Sequence, residues 1–417
     1  MNNSEGKTGF YSAILFLVWP LLALVSAFRN YRSSWGKNIL WAFVAFYGLC
    51  FAIGTESQGS DIVRYVEEVQ ILHERSLSLS GALDYYLESG ELDIFRTLIA
   101  LVVSRVSGSQ VVLTLVFGTI FGFFYSRNIW YVLEQLQGKI RMITYLLLIC
   151  FALIVPVWYM NGFRMWTATH IFLYGLLPYL FEEKRSGLAV ASLSILMHFS
   201  FIVPVGLLYG YIFLGNRVTL YFLFFISTFF ISEINLTVIN NFMQTYAPEI
   251  LYERTDSYLV ESEGQGGEGG GGPVWYARFY TVALKWSVMG FLVVLYLKGK
   301  NFFLKNRRWM NMFSFILLFY GTANILSLIP SGSRYVTIAN LCAMALITLY
   351  VQNRKDEVVM KRFIALATPA LLLFVVVAFR IGLYSMSATA ILGNPVIALF
   401  LTGDHISLND ALKTLIL

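Results

Sequence analysis

The chain has 417 residues, of which 58% are hydrophobic and only 13% charged, and its mean hydropathy is +0.67. A soluble domain carries about a quarter charged residues, so a water-soluble globular fold is excluded. The net charge of +6 sits mostly in short segments between apolar runs, where it records membrane orientation and is no nucleic-acid footprint.

In chain order, a short polar N-terminus runs straight into apolar sequence, with no basic n-region and no small-residue cleavage site. A retained first span at 9–28 is therefore expected rather than a cleaved signal peptide. About 20 mostly apolar residues cross a bilayer as a helix. On that criterion further spans are expected at 38–54, 109–126, 142–158, 165–181, 219–236, 276–297, 310–328, 333–350 and 363–382. Residues 94–107 are apolar but short, and they contain Arg96 and Arg105. Residues 187–212 are interrupted by His198 and Pro204, a pattern that fits one kinked span or two short ones.

Charge orders these segments. Basic residues cluster in 29–37, 127–141, the turn after 181, 298–308 and 351–362. The positive-inside rule assigns all five to the cytoplasm. Parity then requires that 94–107 does not cross fully and that 187–212 crosses twice or forms a broken hairpin. The expected fold is an all-α polytopic bundle of roughly 11–13 membrane segments, forming a single domain over 1–417.

The opposite face holds two long loops. Loop 55–92, expected to contain short helices, carries eight acidic residues against two arginines, and loop 237–275 carries six against one. Loops of this length are commonly lids or binding elements; a solvated surface loop is the plainer alternative. Within the second, 264–272 reads GQGGEGGGG, a flexible spacer that lacks the Lys-Ser/Thr and strand context of a phosphate-binding loop. Cys50, Cys150 and Cys342 lie inside apolar stretches without C-x-x-C spacing, so neither a disulfide framework nor a metal site is expected.

Several short elements resemble a family. Gly59-Ser60-Asp61-Ile62-Val63-Arg64-Tyr65 is similar to the G-x-D-x-x-x-Y element of the EpsG/Wzy-like exopolysaccharide and O-antigen polymerases. Glu88-Ser89-Gly90-Glu91 with Asp93-Ile94-Phe95 resembles their stretch before a short membrane segment. Asn161-Gly162-Phe163-Arg164 resembles the start of their N-x-x-R-Q-x-x-A element, and Met197-His198-Phe199-Ser200 their H-x-S element. Met165 and Trp166 follow the arginine where glutamine is usual, so Arg164 alone carries over there. The second half offers no such motif beyond Arg334 as the counterpart of a late arginine.

The resemblance implies a bacterial protein of the cytoplasmic (inner) membrane, on a scaffold related to lipid-sugar-dependent glycosyltransferases. Its substrate would be glycan carried on undecaprenyl pyrophosphate at the outer face. Repeat units would be polymerised by glycosyl transfer, with no nucleotide sugar, cofactor or nucleic acid; a chain-length regulator as partner stays open.

That chemistry needs a cation for the pyrophosphate leaving group and an oriented acceptor for the sugar hydroxyl proton. Arg164, at the mouth of a span, is the expected leaving-group residue, since guanidinium is always charged and presents a planar fork to phosphate oxygens. A snorkelling interfacial arginine is the plain alternative. Asp61, Arg64 and Tyr65 fall three and four apart, and the spacing predicts a shared helix face. Asp61 would serve there as base or hydroxyl ligand steadied by Arg64, or the two would form only a local ion pair. His198, in the broken segment, would be a site-lining proton acceptor, or a core histidine bonding a carbonyl. Arg278 and Arg334, beside outer turns, are further pyrophosphate or sugar ligands. Two competing functions are a flippase or polysaccharide transporter, against which no internal repeat is visible, and a membrane acyltransferase, for which no Cys has a neighbouring base.

Overall fold

The computed structural model describes residues 3–53, 61–76, 81, 84–87, 92–231, 275–354, 358–401 and 405–416. Their regular secondary structure is all helix, joined by turns and short extended links, apart from one isolated antiparallel bridge between Ser387 and Ser407. Six stretches are long and apolar enough to cross a membrane: 110–134, 142–182, 279–305, 307–326, 333–353 and 358–382. Shorter apolar helices accompany them, and the protein is an all-α, multi-pass membrane bundle. The loop 237–274, with its glycine run, lies outside the described residues.

The N-terminal run differs from the single span expected at 9–28. Trp19 is extended (φ −152°, ψ 98°) and Pro20 opens a new helix, so the run is split into α1 (Asn3–Val18) and α2 (Pro20–Arg29). Proline is suited to a first helical turn but cannot continue the one before it. Thr8 and Arg29 line one cavity, so the chain folds back on itself instead of crossing once.

Helix α3 (Gly36–Leu49) packs against α6 (Gln110–Glu134), and between them in sequence come α4 (Asp61–Arg75) and α5 (Ile94–Val106). The α3–α6 contact is close because Gly48, Gly118 and Gly122 face it. A Cβ on Gly118 would lie 2.7 Å from the Val44 carbonyl, so only glycine lets the backbones approach this far. At 13 residues, α5 is about 20 Å long and cannot cross a 30 Å hydrocarbon core.

Helices α7 (Met142–Ile154) and α8 (Phe163–Glu182) form the next pair, separated at Val155-Pro156 and by a 3-10 turn at Val157–Gly162. The segment after α8 is the broken hairpin. It comprises α9 (Ser186–Ser192), α10 (Ser194–Met197), an extended break at His198 (φ −151°, ψ 116°), and α11 (Ile202–Leu214). Ser192 Oγ and Tyr209 Oη are 3.2 Å apart across the break, which shows that α11 turns back along α9.

The chain continues through α12 (Val218–Ser227) to α13 (Trp275–Lys305), α14 (Arg307–Leu326), α15 (Ser333–Asn353) and α16 (Val358–Gly382). In α15, 89% of the apolar window is buried against 28% in α16, so α15 is the central helix and α16 a peripheral one. Exposed apolar side chains such as Val102, Phe213, Leu366 and Val376 belong to a surface solvated by lipid.

The basic segments gather at one end. Arg32 donates to the Gly138 carbonyl (2.9 Å), Gln352 Nε2 to the carbonyls of Gln137 and Lys139 (2.8 and 3.0 Å), and Arg307 pairs with Glu183 (2.8 Å). Asn216 and Asn311 join the same end at 2.6 Å. The opposite end holds the 157–162 turn, the His198 break, the turn before α15 and the residues after α16.

Candidate active site

At that opposite end a carboxylate that belongs to no long span organises four segments. Asp93 immediately precedes α5, and its side chain is 1% exposed. It accepts from Arg164 Nη1 at the start of α8 (2.9 Å) and from the Phe199 backbone N–H at the hairpin tip (2.8 Å). His198 Nδ1 lies 3.2 Å from both of its oxygens. Arg164 Nε in turn donates to Tyr65 Oη on α4 (2.7 Å).

Each member has a local reason to be where it is. The Tyr65 ring packs edge-on against Phe117 of α6 (5.9 Å), which stacks on Phe163 at 3.7 Å. That aromatic column seats the first turn of α8, so Arg164 leaves it beside Tyr65. The break at His198 frees the Phe199 N–H from any helix ladder and hands it to Asp93. Tyr335 of α15 donates to the Ser200 carbonyl (3.1 Å) and pins the other side of the tip. The cluster lies level with Phe117, about 10 Å along α6 from its first residue, Gln110.

The electrostatics follow from these contacts. Burial alone would raise the Asp93 carboxyl. The His198 hydrogen bond and charge, the Phe199 amide and the Arg164 guanidinium outweigh it and hold the group at about 2. Asp93 is therefore an anion, and an anionic carboxylate only accepts. The Nδ1 of His198 must then carry a hydrogen, and in the neutral imidazole Nε2 is the accepting nitrogen. Among the described residues nothing bonds Nε2. Burial pushes the Tyr65 phenol up to about 12, so it stays neutral and can accept from Arg164 while keeping its own hydrogen to donate.

A second layer supports the first. Arg96 of α5 forms a close ion pair with Glu68 of α4, which also accepts from Tyr85 Oη (3.3 Å). The Arg96 and Arg164 guanidinium carbons stand 5.4 and 5.7 Å from the Tyr65 ring centroid. Beside the cluster runs a purely apolar groove of about 450 Å³, walled by Phe95, Leu98, Val102, Val116, Ile120 and Met197 among others. Phe95 lies two residues from Asp93 and Met197 one from His198, so one end of the groove comes near the charged cluster, although none of the cluster's own side chains lines it. Among the described residues no three His, Cys, Asp or Glu side chains gather as a metal site.

A family model described as the EpsG family matches residues 38–394. The chain belongs to the EpsG family. Neither the curated proteins nor the solved structures provide a match. The EpsG match spans every member of the Asp93 cluster.

Of the residues singled out in the sequence, the EpsG fold brings Tyr65, Arg164 and His198 together. Asp61 and Arg64 pair with each other in a close contact on α4, where Arg64 is exposed. The shared face expected for Asp61, Arg64 and Tyr65 holds for Asp61 with each of the other two: it pairs with Arg64, and its charge reaches the Tyr65 phenol. Arg64 and Tyr65 are adjacent on a helix and point about 100° apart, one to solvent and one inward. Arg334 is exposed in the first turn of α15, outside the cluster. The Arg278 side chain lies outside the described residues, as do Gly59, Ser60 and 88–91. Asp93 appears in the sequence only within a motif, and sequence reasoning does not assign it to the site. The signal that could have found it is a carboxylate directly before an apolar segment too short to cross.

Proposed function

We propose that this EpsG-family protein is a glycosyltransferase that polymerises oligosaccharide repeat units carried on undecaprenyl pyrophosphate, at the outer face of the bacterial cytoplasmic membrane, during surface polysaccharide synthesis. The observation that supports the reading is the Asp93–His198–Arg164 cluster with an all-apolar groove beside it. A lipid-linked sugar needs both: a dry channel for the polyprenyl chain and a charged end for its pyrophosphate.

The residues divide the reaction as follows. His198 Nε2, with its tautomer set by Asp93, takes the proton from the acceptor sugar hydroxyl. The freed oxygen bonds to the anomeric carbon of the donor while the bond from that carbon to the pyrophosphate oxygen breaks. Negative charge then grows on the leaving pyrophosphate, where the Arg164 guanidinium meets it. Tyr65 holds Arg164 from behind and has a phenolic hydrogen to offer a phosphate or sugar oxygen. The product is a longer glycan on the acceptor lipid plus free undecaprenyl pyrophosphate.

The test is reconstitution. Purified protein in nanodiscs, given its authentic lipid-linked repeat unit and no nucleotide sugar, should build a ladder of longer lipid-linked glycans. A folded preparation that binds the repeat unit but never extends it would overturn the reading.

A further inference from the structure

A second site lies on the other side of the 157–162 turn. There a cavity of about 400 Å³ opens between α7, α13, α15 and α16, walled in part by Trp158, Tyr159, Tyr280 and Phe374. Into it faces Lys285, ten residues and about 15 Å along α13 from Trp275, well inside the apolar span 279–305. A lysine at that depth is costly unless paired or functional. Among the described residues no hydrogen bond or ion pair engages Lys285, and no carboxylate lines the cavity.

The other polar groups in the wall are also hydrogen donors. Tyr320 Oη donates to Asn340 Oδ1 (2.7 Å), which fixes the amide and leaves its NH2 for the cavity that Asn340 lines. The hydroxyls of Thr337 and Ser333, one turn apart at the start of α15, line the same wall with no hydrogen bond to a described residue. One ammonium, one amide and two hydroxyls without an acidic counterpart make an anion site, and the aromatic walls suit a sugar face or an apolar stem. The cavity also lies within the size range of small-molecule sites.

We infer that the Lys285 cavity binds the phosphate-bearing head group of a lipid, entering from the outer half of the bilayer. Two links tie it to the Asp93 cluster. Tyr159 in its wall packs on Trp166, two residues beyond Arg164 (4.9 Å), and Tyr335, between Ser333 and Thr337, bonds the hairpin tip at Ser200. A transferase that joins two lipid-linked glycans handles two phosphate head groups, and these are two cationic sites on either side of one turn. Assigning the occupant as the second substrate rests on the polymerase reading; phosphate binding at Lys285 does not.

The experiment uses the full-length protein in phosphatidylcholine nanodiscs, with lipid binding counted by native mass spectrometry. The probes are undecaprenyl pyrophosphate, undecaprenol and phosphatidylglycerol. Lys285→Met keeps the stem and removes the charge, and should weaken undecaprenyl pyrophosphate binding by about tenfold or more, as expected for loss of a charged hydrogen-bond donor. Lys285→Arg should stay within about threefold of wild type, since it keeps the charge. Thr337→Val, nearly isosteric, should give a smaller loss and serves as the second variant if Lys285→Met does not fold. A loss confined to undecaprenyl pyrophosphate supports the substrate assignment. An equal loss for phosphatidylglycerol upholds the phosphate site and overturns its use for a glycan lipid. Unchanged binding in both folded variants overturns the proposal. Lys285-dependent binding in a protein that extends no glycan would sink the polymerase reading alone.

Discussion

Replacing Asp93 with asparagine exchanges one carboxylate oxygen for an NH2 group and tests the centre of the cluster. The carboxylate now takes three donors at 2.8–3.2 Å with its side chain 1% exposed. Asparagine keeps one acceptor oxygen but turns the other into a donor. Arg164 then loses its counter-charge, and His198 loses the contact that fixes its hydrogen on Nδ1. Breaking a buried ion pair by removing one partner costs about 3–5 kcal/mol. Arg164 is 22% exposed, so water recovers part of that and the lower end applies. Loss of tautomer control at a histidine base costs about 10³- to 10⁴-fold in turnover. Asp93→Asn should therefore lower the polymerisation rate per folded molecule by at least about a thousandfold, far beyond the loss of folded protein. Rate would be read from the glycan ladder, and folded protein from size-exclusion profiles and thermal melts of the same preparation. An Asp93→Asn protein within tenfold of wild type per folded molecule would remove Asp93 from the mechanism and leave it a structural anchor.

Further outcomes follow from the same geometry. The folded-state pKa of Asp93 is depressed to about 2 from the ordinary 3.8, so its contribution to stability is complete above pH 4 and is lost as pH falls through 2. Wild type should lose on the order of 2 kcal/mol over that window that Asp93→Asn does not, measured as melting temperature against pH; parallel curves would contradict this. His198→Ala should cut turnover per folded molecule by about 10²- to 10⁴-fold and also lower the melting temperature, because the buried Asp93 loses one of its three donors along with the proton acceptor. Arg164→Ala should cost about a hundredfold or more in rate, and Arg164→Lys should rescue only part, since one ammonium cannot reach both Tyr65 and Asp93 in the fork geometry; a silent Arg164→Lys would mark the arginine as an interfacial anchor. Because Cys50, Cys150 and Cys342 are all buried, a single cysteine placed in 264–272 should react with an impermeant reagent on intact spheroplasts and one in 300–306 should not. Equal labelling would invert or break the topology.

What the sequence makes legible here divides along the range of the interactions. Segments set by local composition can be read: the long apolar helices, the basic end, and the interruption at His198. Even there, the run 9–28 shows the limit. A Trp-Pro pair can kink a span or reverse it, and which one happens depends on what Thr8 and Arg29 find on the other side. The Asp61–Arg64 pair is equally local, three residues apart on one helix, and it forms as its spacing dictates.

Asp93 is the opposite case. In sequence it is the ninth acid of 55–93, marked only by the short apolar segment that follows it. Its partners come from 71 and 105 positions away, so its character is conferred by the fold. A requirement, though not its solution, was written in the chain. Arg164 opens a helix among apolar neighbours and His198 breaks one, and a guanidinium and an imidazole brought into a dry site demand an acceptor. The acids expected on the same face, in loops 55–92 and 237–275 and at Asp93, could supply it. Among them, the acid directly before α5 is the one whose backbone the short helix carries into the bundle. Lys285 poses the same requirement with the sign reversed. It is a cation deep in an apolar span with hydroxyl and amide donors around it, and none of the described residues meets its charge. Asp93 answers the demand of Arg164 from within the chain; at Lys285 the inferred phosphate head group would supply the acceptor.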